Sequence, residues 1–204
     1  MTLIIKTDES GAPETTASIL NAGGVIIYPT ETLYGIGALV FCEDAVQRIY
    51  EIKGRPSGRP IPILVKDTDM LERVAEVNDC ALSLAKKFWP GSLTLVLKEK
   101  GRLPALITAG TGKVAVRVSS NKFVKRLFQF IDSPLCSTSA NISGEKNLLS
   151  FDYIRSTFRN KVDLIVDSGN IPPSKGSTII DTTVRPPKLI REGDVTAREL
   201  KEFL

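Results

Sequence analysis

The chain has 204 residues, 42% hydrophobic and 25% charged, a composition within the range of folded globular proteins and outside the disordered and fibrous classes. It contains no histidine, which excludes a Ser/His/Asp triad, a Cys/His pair, a histidine proton shuttle and a histidine-ligated metal. A formal charge of +4 permits anionic ligands without announcing a nucleic-acid binder, and Cys42, Cys80 and Cys136, with no CxxC pair, form neither a disulfide framework nor a four-ligand zinc site.

Short apolar runs alternate with stretches of helical period, the pattern of an α/β protein with a mixed sheet and helices against its faces. Strands are expected at Leu3–Lys6 and Val25–Tyr28, followed by a polar loop, Pro29–Gly37. Ala45, Val46, Ile49 and Tyr50 share one helix face. The basic segment Lys53–Pro60 leads into a strand at Ile61–Val65. Asn78 reads as the N-cap of a helix running to Phe88 and stopped by Pro90 and Gly91. Strands follow at Leu93–Leu97 and Val114–Val118, and Phe123, Val124, Leu127 and Phe128 form a second helix face. Strands at Leu135–Ser137, Leu164–Val166, Thr178–Asp181 and Leu189–Arg191 complete the set, with Ser168–Gly176 as a mobile loop. Thr196 and Glu199 have capping-box spacing for a last helix. One domain over residues 1–204 is expected. The N-terminus carries no targeting pattern and no run of about 18 apolar residues occurs, so a cytoplasmic location without a membrane partner is expected.

Four polar segments stand where loops should leave strands, the usual place for ligands in open α/β sheets. Pro29–Gly37 offers hydroxyls, Glu31 and two glycines on a tight backbone, or is an ordinary capped turn. Lys53-Gly54-Arg55-Pro56-Ser57-Gly58-Arg59-Pro60 gathers three cations that could wrap an oligophosphate, or is a solvated basic loop. Gly112-Lys113 looks like the tail of a P-loop but fails as one, because Ile107 stands for the first glycine, Val114 replaces the Ser/Thr, and the lysine enters a strand. What remains there is Arg117 between Val116 and Val118, which needs an anionic partner from protein or ligand. Ser137–Gly144 is small and polar enough for a ligand to approach its backbone, or is a Ser/Thr-rich turn.

In order, Pro29–Gly37, Lys53-Gly54-Arg55-Pro56, Trp89–Thr94, Val114–Arg117, Ser139–Gly144, Ser177–Asp181 and Leu189–Gly193 resemble the YrdC-like family, the threonylcarbamoyl-AMP synthases that begin N6-threonylcarbamoyladenosine modification of transfer RNA. The resemblance implies a twisted mixed β-sheet with flanking helices around a basic cavity, in the single-domain form of the family. It implies a nucleotidyltransferase that joins L-threonine, bicarbonate and ATP into threonylcarbamoyl-AMP with release of pyrophosphate. Lys53, Arg55, Ser139 and Asn141 would be catalytic; these four with Arg59, Lys113, Asn147 and Arg191 would bind ATP; Thr32, Arg117, Ser137 and Ser177 would hold threonine. No dedicated metal site is implied, and Mg2+ would arrive with ATP. Downstream threonylcarbamoyl-transferase proteins would take the product, and a weak contact with transfer RNA or double-stranded RNA fits the charge.

Departures from the family pattern fall at Leu64, Arg59, Lys113, Ser119, Asn121 and Gly176, around the amino-acid pocket more than the ATP site. They keep open a paralogue that binds nucleotide or double-stranded RNA with little synthase activity. With 6% aromatics and no RRM, KH or zinc-knuckle signature, an RNA-binding module is the weaker alternative.

Overall fold

A computed structural model of the chain describes residues 1–56, 58–144 and 150–204. In chain order the elements are β1 (Leu3–Lys6), α1 (Ala12–Asn21), β2 (Ile26–Pro29), β3 (Tyr34–Gly37), α2 (Glu43–Lys53), β4 (Ile63–Leu64), α3 (Thr68–Val74), β5 (Ala75–Glu76), α4 (Asp79–Phe88) and β6 (Leu93–Glu99). They continue with α5 (Ala105–Thr108), β7 (Lys113–Arg117), α6 (Lys122–Leu127), β8 (Leu135–Cys136), β9 (Thr138–Ser139), α7 (Phe151–Phe158), β10 (Leu164–Asp167), β11 (Thr178–Asp181) and β12 (Lys188–Arg191). Among the described residues the strands form two mixed sheets, one five-stranded in the order β1-β10-β2-β3-β9, the other seven-stranded along β12-β11-β6-β7-β4-β8 with β5 beside β6.

Strand character follows burial. Ile26, Ile27 and Tyr28 are fully buried, as expected of a strand covered on both faces, and β2 runs parallel to β10 and antiparallel to β3. The α2 face of Ala45, Val46, Ile49 and Tyr50 and the α6 face of Phe123, Val124, Leu127 and Phe128 are buried as their spacing requires. Asn78 caps α4, its Oδ1 accepting from the Ala81 amide at 2.9 Å. Gly54 closes α2 in the left-handed region at φ 56°, where glycine carries no Cβ penalty, and this turns Arg55 out of the helix.

Two expectations are corrected. The segment after Thr196 is not an α-helix. Its capping box forms, with the Thr196 amide donating to Glu199 Oε2 at 2.8 Å and the Glu199 amide to Thr196 Oγ1 at 3.3 Å. The chain then continues as turns with i to i+3 bonds such as Leu200 to Ala197 and Phe203 to Leu200. Pro29–Gly37, expected as a loop, ends in β3, whose alternating glycines hide any apolar period. Gly37 is required by packing, since a Cβ there would collide with the Cys136 carbonyl, and a Cβ on Gly35 would press on the Tyr28 ring. No helix among the described residues is long and apolar enough to cross a membrane.

Gly37→Ala should therefore lower stability by at least about 1–3 kcal/mol, because backbone and not a movable side chain fills the space. An unchanged midpoint in urea denaturation would contradict this packing account.

Candidate active site

Leu135–Ser139 passes from one sheet to the other, with β8 pairing β4, β9 pairing β3, and Ser137 at the crossing. A cavity of about 130 Å3 opens beside it, and Thr32, Arg117, Ser137, Ser139, Ser177 and Arg191, all sequence-predicted site residues, line it. Hydroxyls and guanidinium groups dominate this set, so the cavity can donate several hydrogen bonds to an anion of amino-acid size.

One wall is organised by a charged pair. Arg117, at the end of β7, places Nη1 2.5 Å from Glu31 Oε1 and 3.4 Å from the Thr32 hydroxyl. Ser119 donates from Oγ to the other Glu31 oxygen at 2.5 Å. The Arg117 and Glu31 side chains are 9% and 15% exposed, so each ion is stable there because of its partner. Thr30 shapes the loop that carries Glu31: its hydroxyl accepts from the Thr32 and Leu33 amides and donates to the Leu33 carbonyl at 2.7 Å. The anionic partner that Arg117 requires is thus supplied in part by the protein, and among the described residues its side-chain hydrogen bonds leave from Nη1.

Arg191 forms the opposite wall, donating from Nε and Nη2 to the Ser177 carbonyl at 3.1 and 2.6 Å. The Ser177 hydroxyl accepts from Thr94 at 2.8 Å. Burial and then the charge of Arg117 lower the Arg191 pKa, which marks a cavity where two cations face each other.

Lys53, Ser139 and Asn141 meet behind this cavity. Lys53 Nζ donates to the Ser139 carbonyl, to the Asn141 carbonyl at 2.6 Å and to Asn141 Oδ1 at 3.3 Å. Ser139 donates to the same Oδ1 at 2.6 Å, and the Lys53 carbonyl accepts from the Ser143 amide at 2.9 Å. Three ammonium protons meet three acceptors, and Lys53 is buried. In this arrangement it ties the Ser139–Ser143 segment to the end of α2 and does not line the cavity.

The remaining predicted residues lie further out. Arg55 donates to the Arg59 and Pro60 carbonyls at 3.2 and 2.7 Å, and Arg59 is exposed beside it. Lys113, at the far end of β7 from Arg117, pairs with Asp181 at 2.9 Å. Asn147 lies outside the described residues. Of the positions that depart from the family pattern, Leu64 and Gly176 line the cavity, Ser119 holds Glu31, and Asn121 caps α6 through Oδ1. Sequence reasoning missed Glu31 and Thr94 as site residues. Glu31 was visible as the lone acid inside a polar motif, while Thr94 closes the Trp89–Thr94 motif and was given no role.

The family model for Sua5, YciO and YrdC proteins, described as telomere recombination, matches residues 18–193. A threonylcarbamoyl-AMP synthase of Pyrococcus abyssi is 38% identical over 92% of this chain and 56% of its own length. One of Bacillus subtilis is 34% identical over 92% of this chain and 55% of its own length. The chain thus spans little more than half of either relative. The crystal structure of P. abyssi Sua5 complexed with L-threonine superimposes with a TM-score of 0.93 at 35% identity, covering 100% of this chain and 61% of that one.

Burial, and then the charge of Arg55, pulls Lys53 down to about 8, while the carbonyls around Nζ still favour the protonated form at neutral pH. An unfolded chain keeps that proton to about pH 10.4, so between the two values the unfolded state binds more protons and stability rises with pH. NMR titration of Lys53 Nζ should give a midpoint near 8, and wild type should gain stability relative to Lys53→Met across that window. An ordinary lysine midpoint would remove the burial account.

Proposed function

Because the chain belongs to the Sua5/YciO/YrdC family, we propose that it joins L-threonine, bicarbonate and ATP into threonylcarbamoyl-AMP, releasing pyrophosphate and water, as the first step of N6-threonylcarbamoyladenosine formation in transfer RNA. The observation that carries this reading is the amino-acid-sized cavity between Arg117 and Arg191, floored by the hydroxyls of Thr32, Ser137 and Ser177. The relative solved with L-threonine supports it.

Arg117, held at Nη1 by Glu31, turns its free edge to the threonine carboxylate. Thr32, Ser137 and Ser177 fix the rest of the amino acid, so its amine meets bicarbonate in one orientation and the carbamate forms with loss of water. Ser139 and Asn141, steadied by Lys53, and Arg55 place the ATP phosphates so that a carbamate oxygen attacks the α-phosphorus and pyrophosphate leaves. Arg191 and Arg59 supply further charge, and Asn147 and Lys113 complete the nucleotide contacts, Lys113 after leaving Asp181. Among the described residues no group of three His, Cys, Asp or Glu converges as a metal site, and Glu31 is engaged by Arg117 and Ser119. Mg2+ carried on ATP would neutralise phosphate charge. The mixed anhydride then passes to a threonylcarbamoyl-transferase.

Pyrophosphate release from ATP should require threonine, bicarbonate and Mg2+ together. Nucleotide binding with no threonine-dependent pyrophosphate would instead identify a non-synthase paralogue. Arg55→Ala should cost about 2–4 kcal/mol in the transition state with circular dichroism unchanged, and a near-normal rate would remove Arg55 from the phosphates.

Arg117→Lys keeps a cation for Glu31 but loses the second donor edge. The threonine requirement should rise at least about tenfold, or about 1.4 kcal/mol, while ATP dependence and melting temperature barely move. Equal loss for both substrates with a lower melting temperature would make the Arg117–Glu31 pair purely structural.

A further inference from the structure

A second cavity, with none of its lining residues shared with the first, is not used by the proposed synthase chemistry. It is an apolar groove of about 510 Å3 between α4 and α6, lined by Leu82, Trp89, Val118, Val124 and Phe128. That volume lies in the range of small-molecule sites, about 300–1,000 Å3. Lys66, Lys86 and Lys125 stand on its lining, all three exposed, and none makes an ion pair among the described residues. The lining's other polar side chains are mostly committed: Asp67 Oδ1 accepts from the Met70 amide at 2.9 Å as the cap of α3, and Ser119 serves Glu31.

We propose that this groove binds an amphipathic carboxylate, its apolar body against Leu82, Trp89, Val118 and Phe128 and its anionic head among Lys66, Lys86 and Lys125. Lys66, Lys86 and Lys125 outnumber the one lining carboxylate, Asp67, so the groove's rim carries positive charge for an anion, and ammonium groups are point donors that suit a single small head. A nucleotide fits poorly, because the apolar wall leaves the hydroxyls of its sugar and the polar edge of its base without partners. The inference does not rest on the synthase reading, since none of these lysines touches the first cavity.

Trp89 is the only tryptophan of the chain and lines the groove, so its emission reports occupancy directly. Decanoate, titrated below its micelle-forming concentration, should change Trp89 emission saturably, and decylamine and decanol should bind at least about tenfold more weakly. The double variant Lys86→Gln/Lys125→Gln should weaken decanoate by at least about fivefold with its melting temperature unchanged, whereas Lys188→Gln, outside the groove, should not. If one lysine variant folds poorly, the comparison of acid, amine and alcohol on wild type still decides. A linear, non-saturating response, equal binding of amine and acid, or full affinity in the folded double variant would overturn the proposal.

Discussion

The pair of Arg117 and Glu31 joins the two sheets by a charged contact. Glu31 belongs to the connection between β2 and β3 of the five-stranded sheet, and Arg117 ends β7 of the seven-stranded one. Each is deprived of most of its water, so either alone would be an uncompensated buried charge, and that cost falls on any conformation that separates the sheets here. The net stabilisation from such a pair is small, because desolvation cancels much of the attraction. Its consequence is geometric: Ser119 and Thr32 complete the hydrogen bonding, and the guanidinium is oriented before any ligand arrives.

Backbone carbonyls set the other half of the site. Beside the crossing from β8 to β9 the Ser139 carbonyl accepts from the Asn141 amide at 2.9 Å and from Lys53, and the Asn141 carbonyl accepts from Lys53 at 2.6 Å, since enclosed carbonyls need donors. Lys53 meets that need from the last turn of α2, where a cation also complements the helix dipole. The residue type that would serve an oligophosphate is here also what holds the loop together, so charge and loop geometry cannot be altered separately at this position.

Much of this was legible in the sequence where a side chain reports its own environment. The faces of α2 and α6, the Asn78 cap and the apolar run of β7 follow from periodicity and capping chemistry. β3 escaped because its alternating glycines erase the apolar period that marks a strand, although packing against Cys136 demands Gly37. The Thr196 capping box misled because its two hydrogen bonds are local and form equally well ahead of a series of turns. The cations of the Lys53–Pro60 segment were evident as charge, but whether each faced a ligand or a carbonyl depended on chain reversal at Gly54 and on the distant Ser139–Asn141 segment. Pairing across 86 positions, as between Arg117 and Glu31, leaves no local trace.

A cavity walled by Arg117 and Arg191 and lacking histidine constrains the chemistry further. The lowered pKa of Arg191 arises from burial and from Arg117, so part of its protonation energy is held in check until negative charge enters between them. A guanidinium does not surrender its proton near neutrality, so these groups stabilise charge and do not act as bases. Among the described residues no carboxylate lines the cavity, and Glu31, next to Thr32, already bonds both Arg117 and Ser119, which leaves it poorly placed to accept a proton there. In the proposed synthase reaction, proton transfer would then pass through bicarbonate, phosphate or solvent. The protein's share of that reaction would be to select an anion, fix its orientation and neutralise its charge, which is the work that arginine, hydroxyl and backbone groups at the junction of two sheets can perform.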